Sequence, residues 1–124
     1  MMLSDNIENM LRDMRSRIIA APMFLKGMIA PVDTYLRGKC TWEVFRMRST
    51  MAIACCDLAA PDIRETLEQH WYQEVDFMKK ICRALCDKDF SIPADEDAFR
   101  AELVTALQEY VSQPEPPDKV YILV

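Results

Sequence analysis

The chain has 124 residues, a net charge of −5, and only two glycines, Gly27 and Gly38. That length suits one domain, because a second would be too small to bury a core, and 51% apolar residues are enough to fold. Glycine-rich phosphate loops need two glycines close together, and these are eleven apart, so nucleotide-binding loops of that kind are excluded.

The first predicted helix is capped by Ser4, with Asp5 at its positive end. Ile7, Met10, Leu11, Met14 and Ile18 fall on one stripe, and Pro22 ends or kinks that helix. Met23 to Leu36 is apolar and punctuated by Pro31 and Gly38, which predicts one or two short helices. Thr41 caps the next helix, running to about Leu58. Its segment from Met51 to Cys56 is apolar at all six positions. A helix apolar all round is buried all round, so this one is expected at the centre.

Pro61 fits the first turn of another helix. Ile63, Leu67, Trp71, Val75, Met78, Cys82 and Leu85 then recur at spacings of three and four with no glycine or proline before Pro93. The expectation is one helix of about 25 residues and about 37 Å, long enough to cross a domain about 35 Å wide. Asp87 to Pro93 reads as a turn. Asp95 caps the last helix, with Phe99, Leu103, Leu107 and Tyr110 on its stripe. The segment 113–118 is a proline-rich spacer, and Val120-Tyr-Ile-Leu-Val124 is β-prone. That end either folds back over the body or adds a strand to another chain's sheet edge. The predicted fold is therefore all-α: a single-domain bundle of four to five helices over residues 1–112, with a short extended tail over 113–124.

Charge divides the chain. Residues 1–60 carry a net +2 and residues 61–124 a net −7. An acidic chain repels phosphate, so direct nucleic-acid binding is not expected. The local strip Arg37, Lys39, Arg46 and Arg48, with Tyr35 and Trp42 inside it, is the one exception in character. The first seventeen residues mix acids with arginines, unlike a secretory leader. The stretch Ile18 to Val32 is too broken for a membrane span. A cytoplasmic protein with reduced thiols and no membrane is the expectation.

Chemistry-bearing residues are sparse. Cys82 and Cys86 share a helix face, and with His70 they offer thiol redox or metal chemistry. No C-x2-C knuckle accompanies them, and adjacent Cys55 and Cys56 point about 100° apart on a helix. Asp87-Lys-Asp89 imitates a calcium loop but fails at Ile92, where glycine is required, and at Ala98, where glutamate is required. His70 lacks a nucleophile context. No catalytic residue, metal or cofactor is assigned.

Methionine is plentiful and suits surfaces that adapt to a partner. The expected function is a non-enzymatic protein-binding module: an adaptor, chaperone or regulatory inhibitor. Its contact residues are read as Met23, Phe24, Leu25, Met28, Trp71 and Tyr72. The partner is another protein or a second copy in a homodimer. Two alternatives stand beside it. One is an acidic accessory protein that inhibits a nucleic-acid-binding machine by phosphate mimicry through Asp62, Glu65, Glu68, Asp76 and Asp87. The other is the thiol or metal protein using Cys82, Cys86 and His70.

Overall fold

The structure, a computed structural model, describes residues 4–57, 61–86 and 93–115. Among them are six helices and no strand: α1 (Asp5–Ile18), α2 (Met23–Leu36), α3 (Trp42–Asp57), α4 (Pro61–His70), α5 (Tyr72–Cys86) and α6 (Pro93–Ser112). The all-α architecture is as the periodicity requires, with six helices instead of four to five. The expected turn from Asp87, including the calcium-loop mimic, and the β-prone end lie outside the described residues.

Four helices close a ring. α1 packs on α2, α2 on α5, α5 on α6, and α6 back on α1. α3 is added to the outside of α2, and α4 continues from α5. One core runs through the ring, with contributions from every helix. It contains Leu11 and Met14 of α1, Met28 and Val32 of α2, Phe77 and Ile81 of α5, and Leu103 and Leu107 of α6. A ring of four amphipathic helices buries each apolar stripe against two neighbours, so the bundle needs no sheet.

α2 is the central helix, which reverses the expectation for α3. It touches α1, α3 and α5, and Leu25, Met28, Ile29 and Val32 are fully buried. Among its described side chains, α3 buries the stripe Trp42, Phe45, Ser49 and Ala52, spaced i, i+3, i+7 and i+10 along one face. Its opposite side leaves Met47 and Met51 in water. The apolar run read as an all-round core is, on its outer side, a solvent face.

The predicted single long helix is two. The break falls at Trp71, with neither glycine nor proline present. Trp71 N still donates to Leu67 O, and Val75 N to Trp71 O, both at 2.9 Å, so the chain bends without losing its bonding there. Trp71, Gln73 and Glu74 are all buried. On a straight helix, positions 71 and 73 point about 160° apart, at about 100° per residue. One stripe cannot bury both, and the bend lets α4 turn Leu67 and Trp71 inward while α5 turns Gln73, Glu74 and Phe77 inward.

Local signals at helix ends behave as read, with one shift. Ser4 Oγ accepts from Ile7 N at 3.3 Å, and Thr41 Oγ1 accepts from Val44 N at 3.3 Å. α6 begins at Pro93, two residues before Asp95, so Asp95 and Glu96 occupy the first turn instead of capping it. Pro31 lies inside α2. Lacking an N–H, it leaves the Gly27 carbonyl without the usual helical donor.

Gly38 closes α2 at φ +72°. Gly38 N donates to Tyr35 O at 2.9 Å and Lys39 N to Thr34 O at 2.9 Å, the bond pair of a left-handed helix cap. A Cβ placed on it would have nothing within 4 Å, so a side chain there meets backbone strain and no clash. Gly38→Ala is expected to lower stability by about 1–2 kcal/mol, read as a fall in the urea midpoint at unchanged slope. A neutral result would mean that the chain leaves α2 by another backbone path.

Charged side chains fasten the ring at its ends. Arg37 donates to Glu8 at 2.7 and 3.1 Å, and also bonds Asp33, joining the end of α2 to the start of α1. The Arg37 guanidinium holds the Glu8 carboxyl below the usual carboxylate range. Arg17 of α1 donates to the carbonyls of Val111 and Gln113 at 2.9 and 2.6 Å, capping the C-terminus of α6. Gln73 donates to Pro114 O at 2.8 Å. Residues 113 and 114 are thus held against the body, and the chain from residue 116 onward lies outside the described residues.

Candidate protein-interaction surface

The six residues read as a contact set do not form one surface. Leu25, Met28 and Trp71 have no exposed area, a correction that follows from the central position of α2 and the inward bend at Trp71. They hold the core and present nothing to a partner. Met23 is 63% exposed and Tyr72 50%. They sit on different helices, α2 and α5. The Phe24 side chain lies outside the described residues.

The methionines sort by face. Met10, Met14 and Met28 are buried, and Met78 is half-buried. Met47 and Met51 are exposed, at 55% and 63%. One turn apart on α3, they share its outer side. The buried stripe of Trp42, Phe45, Ser49 and Ala52 carries this information in the sequence. Its mirror face holds Met47 and Met51, which the apolarity of the run alone conceals.

α2 and α3 run antiparallel, since Tyr35 packs on Phe45 with ring centroids 4.8 Å apart while Gly27 sits beside Ala52. A Cβ on Gly27 would come within 3.8 Å of the Ala52 Cβ. The two helices therefore approach closely, and the seam between their outer faces is a shallow groove of about 420 Å3. Gly27, Ala30, Pro31 and Ala52 form its floor and Met51 one wall. Lys26, Thr34 and Arg48 form the polar margin. Met23, one turn before Gly27, extends the same face of α2.

Beyond Ala30 and Thr34 lies a second, polar depression of about 500 Å3, lined also by Glu8, Arg15, Asp33, Arg37 and Lys39. Its charges are largely paired with one another. Arg37 joins Glu8 and Asp33, and Arg15 lies 3.4 Å from Asp33.

The other candidate chemistries are placed as follows. Tyr35 and Trp42 are buried, packed with Phe45 and Phe99, so the basic strip has no exposed ring on which a base could stack. Asp62, Glu65 and Glu68 are exposed on α4. Asp76 lies beyond the bend and is paired with Lys80 at 3.1 Å, which also bonds Glu109 at 2.6 Å. Asp87 lies outside the described residues.

Cys40 and Cys82 are half-buried. Burial pushes the Cys40 thiol up, with Arg48 opposing weakly, which disfavours thiolate at neutral pH. The side chains of Cys55, Cys56 and Cys86 lie outside the described residues, so the Cys82–Cys86 pair does too. His70 is half-buried in the last turn of α4. Among the described residues, no group of three or more His, Cys, Asp or Glu is placed to hold a metal ion, and no described helix is long and apolar enough to cross a membrane.

No family model, curated protein or solved structure matches this chain, so its functional reading rests on the geometry just described.

Proposed function

We propose that the protein is a non-enzymatic protein-binding module whose contact surface is the outer face of α2 and α3. It acts as an adaptor, chaperone or regulatory inhibitor, with no catalytic step of its own. One observation carries this reading. Met23, Met47 and Met51 stand in water on one helix pair while Met10, Met14 and Met28 fill the core. Exposed thioethers on the outer side of that pair, with Met51 walling an apolar groove, form the kind of patch that a partner covers, and methionine adapts its shape to whatever does so. The same helix pair includes Gly27 and Pro31, the broken stretch of the sequence where an adaptable surface is expected.

The test replaces two methionines together, Met47→Lys and Met51→Lys. Both are more than half exposed, so stability is expected to change by less than about 0.5 kcal/mol. Used as bait in cells, the wild-type chain captures its partner and the double variant loses it. Equal capture by both would overturn the reading. A partner that is a second copy appears as a mass rising with concentration in light scattering, and the double variant removes that rise.

A further inference from the structure

The groove between α2 and α3 has a floor and a margin of different chemistry. Its floor is small and apolar: Gly27, Ala30, Pro31 and Ala52. Its margin is cationic, with Lys26 on one helix and Arg48 on the other, and no carboxylate lines it. Neither Lys26 nor Arg48 makes an ion pair among the described residues. This contrasts with the neighbouring depression, whose arginines are already matched by Glu8 and Asp33.

We propose that this groove receives an acidic amphipathic helix of a partner protein. The proposal rests on the reading of α2 and α3 as the contact surface and names its occupant. A seam between two packed helices is filled by the side-chain ridge of a third. Glycine and alanine on the floor let that third helix come close. Its apolar side chains, spaced i, i+3 or i+4, lie over the floor and against Met51. Its carboxylates, on the flanks of the same face, meet Lys26 and Arg48.

Charge decides between an acidic and a basic occupant. The half of the chain that builds α1 to α3 is net +2 within a protein of net −5. An acidic helix is therefore steered to this side and repelled by α4 to α6, whose described residues 61–86 and 93–115 hold five basic and eleven acidic side chains, a net −6. A basic helix would be drawn to the opposite side and would leave the two cations facing like charge.

The experiment titrates the isotopically labelled full chain with two peptides of about 16 residues, long enough to form helix on a surface. Both carry leucine and alanine on one face. One carries glutamate on the other face, and its counterpart carries lysine. The acidic peptide is expected to shift the amides of residues 26–34 and 48–52 and to bind about tenfold more tightly than the basic one. Lys26→Glu with Arg48→Glu should reverse that order; Arg48 is exposed, Lys26 is half-buried, and neither makes an ion pair among the described residues.

Equal binding of both peptides at the groove, abolished by Met47→Lys with Met51→Lys, would overturn the acidic helix while leaving the contact surface in place. Binding of neither peptide, together with unchanged partner capture by the methionine variant, would overturn both. Shifts of the same amides on concentrating the chain without peptide would assign the groove to a second copy and overturn the proposal.

Discussion

Phe99→Ala is expected to remove about 3–5 kcal/mol of stability, much of the about 5–15 kcal/mol that holds a domain of this kind together. Phe99 projects from the first turns of α6 into a cluster contributed by two other helices. Its centroid lies 4.9 Å from that of Trp42, in an edge-on arrangement, 5.8 Å from that of Phe45 and 5.9 Å from that of Tyr35. Each such pair adds about 0.5–1.5 kcal/mol beyond the area it buries. The ring has no exposed surface, so its removal leaves a void that three neighbouring aromatic groups cannot all collapse to fill. Phe99→Leu keeps most of the volume and should cost clearly less, although it forfeits the edge-on contact. Equilibrium urea unfolding of the three proteins gives the comparison, and a loss below about 1 kcal/mol for the alanine variant would contradict the cluster.

The same substitution bears on the proposed contact surface. α3 has α2 as its main neighbour, and its Trp42 and Phe45 also reach α6 through Phe99. Two further contacts fasten the end of α2 to α6. Tyr35 donates to Glu96 at 2.9 Å, and Arg100 donates to Tyr35 O at 3.2 Å while lying 4.9 Å from the Tyr35 ring centre. Losing Phe99 is thus expected to loosen α3 and the end of α2 against α6 together, and with them the groove lined by Arg48 and Met51.

How far the sequence discloses this fold depends on the physical signal at each element. Strict stripes of large side chains are reliable. Met10, Leu11, Met14 and Ile18 in α1, and Phe99, Leu103, Leu107 and Tyr110 in α6, are buried as their spacing requires. Capping by Ser4 and Thr41 is local chemistry and is equally visible. The bend at Trp71 is not visible, because no breaker marks it and its cause is tertiary. Gln73 and Glu74 go inward to meet Pro114 and Tyr110, residues about forty positions away. The exposed face of α3 was half legible. Small apolar residues are indifferent to burial, so the run from Met51 to Cys56 says little, whereas the spacing of Trp42, Phe45 and Ser49 already orients the helix. The groove itself arises from the closeness of Gly27 to Ala52, a pairing that no single stretch of sequence contains.

Above about pH 10, where free phenols lose their protons, the fold is expected to weaken steeply because of Tyr110 and Tyr35. Tyr110 is buried against Phe77, with stacked rings 4.9 Å apart, and its hydroxyl donates to Glu74 Oε2 at 2.5 Å. Burial first, and then the bond to the Glu74 carboxylate, push its phenol well above the ordinary value. Arg17, 5.7 Å from the ring centre, acts in the opposite sense and is outweighed. Burial and then Glu96 raise Tyr35 in the same way.

A folded-state value above the unfolded one means that stability is complete below about pH 10 and is lost as the unfolded chain deprotonates. Each of the two phenols then costs about 1.4 kcal/mol per pH unit. Lys80, held charged by Glu109 and Asp76, adds a loss of the same sign in the same range. Tyr110→Phe separates the contributions, because Lys80 and Tyr35 remain. At neutral pH the variant is expected to lose about 1–3 kcal/mol, since a buried acceptor on Glu74 forfeits the hydroxyl that donates to it. Above pH 10 its stability should fall less steeply than that of the wild type by about 1.4 kcal/mol per pH unit, so the two unfolding curves converge as the solution becomes more alkaline. Urea midpoints measured from neutral pH upward provide the test. Parallel loss in both proteins would mean that the Tyr110 hydroxyl titrates freely in the folded chain, and the bond between α5 and α6 through Glu74 would then not exist in solution.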